Sequence, residues 1–506
     1  MKKPFKARCI DLSTAGVRIV VLHSSDARDL DLKAMDRVAV STDGSAPVNC
    51  IVDLTNSFVE PGTVGLFREA CNRANVGEND NVYLEPKGKP ESLKFIKEKM
   101  AGKRHTKEEI EAIIRDLMHE ELSDVELTGW ISSIYIRGLE KDETIALTKA
   151  IVDSGTTLDL REKRVFDKHC IGGVAGNRTT MLVVPIIAAA GLTCAKTSSR
   201  AITSPAGTAD TMEVLAPVNL NKDDIEEVVN RIGACIVWGG AVNLAAADDK
   251  LIRIRHPLSL DPRGMLLASI MAKKKAVGAT DVIIDIPVGR GAKIKSPDEA
   301  TILAKQFNAL GASLDMNIHS LLTNGDHPIG LAVGPTIEAR ETLRILDCEV
   351  VSQELIEKSS QLAGVLLEIG GKAAPGAGRD MALKLIQSGK AGQKFREIIE
   401  NQGGDGNIKS NDVMMGDYDH TVVADRDGRI EHIDNKGVSA VVRNAGAPSD
   451  KVAGMYLHVE EGDKVRRGQE LFTIYAKSER KIDQALEAYD QHKPIQFARI
   501  ILQTLD

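Results

Sequence analysis

Hydrophobic and polar residues alternate in short bursts along residues 1–85. Apolar, β-branched runs at 17–22, 37–41 and 49–54 are separated by Asp, Ser, Gly and Pro clusters, the pattern of half-buried strands joined by turns. A short helix is predicted over 66–74, then a turn at Gly77-Glu78-Asn79-Asp80 and a strand over 81–84. These elements predict a β-rich, barrel-like N-terminal domain.

The period changes after residue 86. Thr106-Lys107-Glu108-Glu109 reads as a capping box, in which the Thr hydroxyl accepts from the third backbone N–H and the Glu reaches back. Ile110, Ile113, Ile114, Leu117 and Met118 then share one helical face. Ser123-Asp124-Val125-Glu126 opens a second helix to about residue 137, and a third is predicted over 142–152. They predict a helical subdomain, assigned to 88–160 plus 246–278.

From residue 165 strands alternate with helices. Segment 164–168 runs into a glycine loop followed by a helix over 177–190, and the apolar strand at 281–288 ends in Gly289-Arg290-Gly291. Ser296-Pro297-Asp298-Glu299 starts another helix, with Ser as N-cap and Pro in the first turn. Such alternation predicts an α/β domain, 161–240 plus 281–410, with a mostly parallel central sheet. Ligands of such sheets lie beyond the strand carboxyl ends, where both glycine loops fall. Strands return in 415–506, with a helix over 479–489, which predicts a C-terminal α+β domain. The fold class is therefore multi-domain α/β.

Composition narrows the function. A chain of 506 residues exceeds one core, and 43% hydrophobic with 27% charged residues is ordinary for a soluble protein. The net charge of −7 argues against a nucleic-acid partner, and 3% aromatic residues argue against stacking platforms for single strands. No apolar run reaches the roughly 18 residues of a membrane span, so no membrane partner is expected. Cys9, Cys50, Cys71, Cys170, Cys194, Cys235 and Cys348 form neither close pairs nor ligand spacings, which predicts reduced thiols in a cytoplasmic protein without a metal.

Three segments carry candidate chemistry. Asp167-Lys168-His169-Cys170-Ile171-Gly172-Gly173-Val174 and the following helix start offer backbone N–H groups, a helix N-terminus and an ammonium to a phosphate; an ordinary strand-to-helix turn would use the same glycines. The hydroxyl-rich run from Ser198 to Asp210, with Arg200, suits an oxyanion or serves as a set of helix caps. In the third, Ser269 and Lys273 lie four apart on one helical face, near Arg255 and Asp261.

In this order the three segments resemble the thymidine and pyrimidine-nucleoside phosphorylase family. Its members carry D-K-H-S-T-G-G-V, then S-G-R-G-L-x-x-T-G-G-T-x-D-x-x-E, then an Arg before a helix bearing S-x-x-x-K. The likeness runs from about residue 88 to the C-terminus. Cys170 stands where the family has a hydroxyl, Ala201-Ile202-Thr203-Ser204-Pro205 replaces a Gly-rich stretch, and Gly289-Arg290-Gly291-Ala292-Lys293 replaces Gly-Ser-Gly-Ala-Phe. Extra hydroxyls and cations, and the additional N-terminal domain, are similar to the archaeal branch that acts on nucleoside 5′-monophosphates. That branch turns AMP and phosphate into adenine and ribose 1,5-bisphosphate and also accepts CMP and UMP.

The resemblance implies Asp261 as proton donor. It implies nucleotide contacts at Gly173, Ser199, Arg200, Ala201, Ile202, Thr203, Ser204, Thr208, Ser269 and Lys293. Phosphate contacts are implied at Lys168, Thr179, Ser198 and Thr208, so Thr208 matches both anions. Arg255 and Lys273 match base contacts. It further implies inorganic phosphate as co-substrate with no cofactor, and a homodimer or higher homo-oligomer. The hairpin at 459–471 resembles that of biotin and lipoyl carriers and implies a hammerhead-like C-terminal domain without the cofactor. A thymidine-type nucleoside phosphorylase, an anthranilate-type phosphoribosyltransferase and a non-catalytic scaffold are the competing readings.

Overall fold

The computed structural model describes residues 4–14, 16–201, 204–349 and 351–498. The chain divides into two compact units, Met1–Gly138 with Ile254–Leu260, and Leu139–Arg253 with Asp261–Asp506.

The first unit begins with β1 (Phe5–Ile10), β2 (Ile19–His23), α1 (Ser24–Asp29), β3 (Arg37–Ser41), β4 (Val48–Thr55), β5 (Thr63–Phe67), α2 (Arg68–Ala74) and β6 (Asn81–Lys87). The six strands close into a barrel in the order β1-β5-β2-β4-β3-β6, with β6 pairing back onto β1. Along β4, Val48, Cys50 and Val52 are buried while Asn49, Ile51 and Asp53 are only half-buried. That period of two fills the interior, and closure removes exposed strand edges. Residues 66–67, predicted as the start of a helix, end β5 instead, because β1 and β2 both pair with that segment. Three helices follow, α3 (Ser92–Met100), α4 (Lys107–Met118) and α5 (Asp124–Arg137). Both predicted capping boxes form at the starts of α4 and α5. Ile110, Ile113, Ile114 and Leu117 are buried, and the buried Trp130 indole donates to His105 Nε2 at 3.0 Å.

The second unit starts with α6 (Lys141–Asp153), β7 (Val165–Cys170), α7 (Thr179–Ala189), β8 (Cys194–Ser198), α8 (Thr208–Met212), α9 (Lys222–Ile232) and β9 (Ala234–Trp238). It continues with α10 (Ala246–Arg255), whose last two residues lie in the first unit, then α11 (Arg263–Ala276), β10 (Ala279–Val288), α12 (Pro297–Ala312) and β11 (Asn317–Asn324). β7, β10 and β11 form a parallel sheet in the order β11-β10-β7, and β8 and β9 form a parallel pair beside it, joined by a bridge between Val165 and Thr193. Side chains of β10 alternate between two cores: Ile283 packs on the face with α7, and Val282, Ile284 and Ile286 pack with Leu267, Met271, Leu303 and Phe307 of α11 and α12. Each such burial contributes about 1.5–3 kcal/mol, which is why the strand is apolar almost throughout.

The rest comprises β12 (Ala332–Val333), α13 (Pro335–Leu346), α14 (Gln353–Ile369), α15 (Gly378–Gln387), α16 (Lys390–Asn401), β13 (Tyr418–Val423), β14 (Gly428–Ile433), α17 (Asn435–Asn444), β15 (Gly454–Leu457), β16 (Lys464–Val465), β17 (Glu470–Ala476), α18 (Glu479–His492) and β18 (Ile495–Phe497). These give antiparallel sheets in the orders β12-β15-β17-β13 and β16-β14-β18. The two-residue β12, far from the others in sequence, ties the C-terminal sheet to the chain that carries the glycine loops. Among the described residues no helix is long and apolar enough to cross a membrane.

Candidate active site

Consecutive residues of a strand face opposite ways, and β7 uses this to send Asp167 and Lys168 into different clusters. Asp167 accepts from Lys274 Nζ at 2.6 Å and Lys196 Nζ at 3.2 Å, and Lys196 also donates to the Lys168 carbonyl. Lys168 Nζ donates to Thr179 Oγ1 at 2.6 Å and lies 3.6 Å from Asp285 Oδ2. Asp285 accepts from Thr323 Oγ1 at 2.6 Å, and Lys358 Nζ lies 3.8 Å from its other oxygen. All of these charged side chains are buried, so four ammonium groups face two carboxylates in the interior. Uncompensated charge away from water is unfavourable, and such an excess suits a bound anion.

The electrostatics follow from that crowding. Burial works to raise the Asp167 carboxyl, yet Lys196 and Lys274 hold it below its ordinary value. Burial lowers Lys168, against the pull of Asp285, and lowers Lys274 to about 8 against Asp167. Burial, reinforced by Lys274, Lys196, Lys168 and Lys293, keeps His169 well below its ordinary value and therefore neutral. Burial and Asp285 raise the Cys170 thiol to about 11, so it stays protonated.

The loop after β7 turns through Gly172, Gly173 and Gly176, all at positive φ. At Gly173 a Cβ would stand 2.4 Å from the Lys293 backbone nitrogen, so only glycine permits this approach. Thr179 opens α7 and donates to Asn177 Oδ1 at 2.9 Å, while Asn177 donates to Cys170 Sγ at 3.1 Å. The buried Arg178 guanidinium donates to the carbonyls of Gly176 at 2.5 Å and Ala332 at 2.8 Å and pairs with Glu341. Asn435, at the start of α17, joins the Ala175 amide to the Gly325 carbonyl.

The hydroxyl-rich loop leaves the end of β8 at Ser198. Asp210 Oδ2 accepts from the backbone nitrogens of Ala201 at 2.7 Å and Gly207 at 3.0 Å, which closes the loop on itself. Arg200 makes two hydrogen bonds to Glu213, at 2.6 and 2.5 Å, and lies over the Trp238 ring. Lys451 reaches Glu213 at 2.8 Å and Asp210 at 3.1 Å. The hydrogen bonds from Arg200 hold Glu213 down at about 2. Ser199 and Ala201 precede and follow Arg200 along the chain, Ser204 donates to the Ala206 carbonyl at 3.1 Å, and Thr208 opens α8; Ile202 and Thr203 lie outside the described residues.

On α11, Ser269 donates to Asp248 at 2.7 Å, and Lys273 pairs with Asp248 at 3.0 Å and Asp249 at 3.2 Å. Burial opposes the Lys273 charge, but the two carboxylates overcome it and raise its value. Asp261, just before α11, has Lys293 Nζ 3.9 Å from its Oδ2, and both side chains are nearly half exposed. Arg255 falls in the first unit.

The structure thus brings Lys168 to Thr179, Gly173 to Lys293, and Lys293 to Asp261. Sequence reasoning missed Lys196, Lys274, Asp285, Lys358 and Asn435. A lone charge in an apolar strand, as at Lys196 or Asp285, was the available signal; Lys274 sits in a run of three lysines that reads as a solvated face. Among the described residues no group of three or more His, Cys, Asp or Glu side chains could hold a metal ion.

Comparison with known proteins fits this architecture. Residues 93–155 match the glycosyl transferase family helical bundle domain and 162–392 its a/b domain. Residues 429–496 match the pyrimidine nucleoside phosphorylase C-terminal domain. The chain is 45% identical over 506 residues to the AMP phosphorylase of Pyrococcus furiosus, covering 99% of each. It is 45% identical to that of Thermococcus kodakarensis, with 99% of each covered, and 44% to that of Methanosarcina mazei, with 95% of this chain and 94% of the relative covered. Among solved structures, anthranilate phosphoribosyltransferase from Thermus thermophilus aligns with a TM-score of 0.51 and 20% identity over 61% of this chain and 98% of that one, a likeness of fold alone. The chain belongs to the AMP phosphorylase branch of the pyrimidine-nucleoside phosphorylase family.

Proposed function

We infer that the chain cleaves the N-glycosidic bond of AMP with inorganic phosphate, giving adenine and ribose 1,5-bisphosphate. The observation that carries this reading beyond relatedness is the approach of Gly173 to Lys293, which brings an anion-binding glycine loop against a cation-bearing segment. A substrate with its own phosphate needs two anion sites, one for the attacking phosphate and one for the 5′-phosphate.

In the proposed scheme Lys168, Thr179, Ser198 and Thr208 hold inorganic phosphate beside the N-terminus of α7. Lys293 and the loop of residues 199–204 hold the 5′-phosphate. A phosphate oxygen bonds to C1′ as the C1′–N bond breaks, the base leaves with the bonding electrons, and Asp261 delivers the proton it needs. Lys293 stands 3.9 Å from Asp261, and engaging the 5′-phosphate draws its charge away from that carboxyl, next to which the substrate's own negative charge then lies. Ser269 and Lys273 face the base, with Asp248 and Asp249 setting their orientation. The excess of ammonium groups under the loop neutralises phosphate, so the reaction as proposed proceeds without a metal or other cofactor. CMP and UMP enter the same scheme, since the phosphate contacts do not touch the base. The proposed working form is a homodimer or larger homo-oligomer.

The test is release of free adenine from AMP, with and without phosphate and with no metal added, alongside adenosine, thymidine, CMP and UMP. Adenine release that requires both phosphate and the 5′-phosphate is the expected result. Cleavage of thymidine but of no nucleotide would assign the chain to the nucleoside enzymes instead.

A further inference from the structure

Two buried ionic clusters flank β7, and they differ in how completely they are satisfied. Around Asp167 both ammonium groups make hydrogen bonds: Lys274 to one carboxylate oxygen, and Lys196 to the other and to a carbonyl. Around Asp285 this fails. Lys358 Nζ, on α14, is buried and makes no hydrogen bond, and neither does Asp285 Oδ2, 3.8 Å away. Lys168 Nζ lies 3.6 Å from the same oxygen, while the second Asp285 oxygen is taken by Thr323. One carboxylate charge thus serves two ammonium groups.

A buried ammonium without a hydrogen-bonding partner is strongly unfavourable, so its presence points to a partner from outside the protein. The position says which. Lys168 belongs to the proposed phosphate cradle through Thr179, at the N-terminus of α7, and Lys358 shares its counter-ion. Of the two anions in the reaction, the 5′-phosphate is met at Lys293, by Gly173; inorganic phosphate is met at Lys168.

We propose that Lys358 is a second phosphate-binding cation, whose ammonium joins that of Lys168 on the attacking inorganic phosphate while Asp285 holds both in place. This rests on the phosphorolytic reading above. A dianion accepts one charge-assisted hydrogen bond from each ammonium, and neither ammonium is then without a hydrogen-bonding partner. Lys358 therefore governs affinity for phosphate and leaves affinity for the nucleotide alone.

The experiment uses the full chain with Lys358→Met and Lys358→Arg. Phosphate is varied at saturating AMP, AMP is varied at saturating phosphate, and inorganic phosphate alone is titrated calorimetrically. Lys358→Met is expected to raise the phosphate KM and Kd about 10- to 100-fold, with the AMP KM within about twofold, and Lys358→Arg to recover most of the loss. If Lys358→Met does not fold, Lys358→Gln keeps a polar end toward Asp285 and gives the same readout. Unchanged phosphate binding overturns the assignment. So does an equal loss in kcat and both KM values, the signature of a residue that merely neutralises Asp285, and so does a rise confined to the AMP KM. Absence of adenine release by the wild-type protein would instead bring down the phosphorolytic reading itself.

Discussion

Asn435 Oδ1 accepts the Ala175 N–H at 2.9 Å, so a side chain at the start of α17 fixes the backbone of the glycine loop. Its Nδ2 donates to the Gly325 carbonyl at 3.1 Å, and its Cβ would meet a Cβ added at Gly291 at 2.8 Å. Asn435 is buried, and Asp434 caps its helix through the Gly437 N–H. A residue of the C-terminal part thus holds three site segments in register. Asn435→Ala leaves a buried donor and acceptor unpaired, a loss of about 1–3 kcal/mol. The expected outcome is a lower melting temperature and a kcat/KM reduced about tenfold or more, measured for AMP at fixed phosphate. Asn435→Asp keeps the acceptor for Ala175 but places a carboxylate against the Gly325 carbonyl, so it is expected to be no better than Ala.

The Lys293–Asp261 pair separates binding from chemistry. Lys293→Ala is expected to raise the AMP KM about 10- to 100-fold, with the KM for inorganic phosphate within about twofold. Asp261→Asn is expected to lower kcat about 10²- to 10⁴-fold with little change in either KM. Equal activity of the Asn variant would remove Asp261 from the proton-donor role.

Asp167 is the shared counter-ion of Lys196 and Lys274. Removing it leaves two buried ammonium groups unpaired, and breaking a buried pair in this way costs about 3–5 kcal/mol. Asp167→Asn is expected to lower the denaturant midpoint markedly, or to prevent accumulation of folded protein. Combining Asp167→Leu with Lys274→Met should recover part of that loss, as read from the same unfolding curves.

Glu338 gives a pH signature. Burial raises its carboxyl from 4.5 to about 7, against the opposing pull of Arg178. The folded state binds the proton more tightly than the unfolded chain. This contribution to stability is therefore complete below 4.5 and is lost as pH rises through about 7. Between pH 4.5 and about 7 the loss is about 1.4 kcal/mol per pH unit, and above about 7, where both states are ionised, it levels off. Glu338→Gln should melt close to wild type near pH 4.5 and increasingly above it as pH rises to about 7, with a constant gap from there to pH 9. Parallel melting profiles between pH 4.5 and about 7 would show that Glu338 does not titrate in this way.

Much of the scaffold was legible along the chain. The capping boxes at Thr106 and Ser123, the apolar face from Ile110 to Leu117 and the apolar strand at β10 are written in contacts three or four residues apart or in simple alternation. β5 was not legible, because its partners β1 and β2 lie dozens of residues away. The two residues of β12 are too few to show a period and are a strand only because β15 lies alongside. In the site, the glycine loop and the Ser198–Asp210 run were visible as motifs. That Arg200 is clamped by Glu213 was not, nor that Asn435 reaches Ala175, since neither relation leaves a local pattern.

The sequence by itself determined the order of the elements, the helix starts and the three motifs that define the family, since these depend on spacing within a few residues. Tertiary structure decided the fate of each charge. Lys273 and Lys274 are neighbours in a run of three lysines, and no local rule separates them. A helix turns about 100° per residue, so Lys273 meets Asp248 and Asp249 at the face of Ser269, while Lys274 is driven into the interior against Asp167. Only the packing of α11 against β10, which carries Lys274 to Asp167 on the neighbouring β7, makes one lysine a candidate ligand and the other a buried counter-ion.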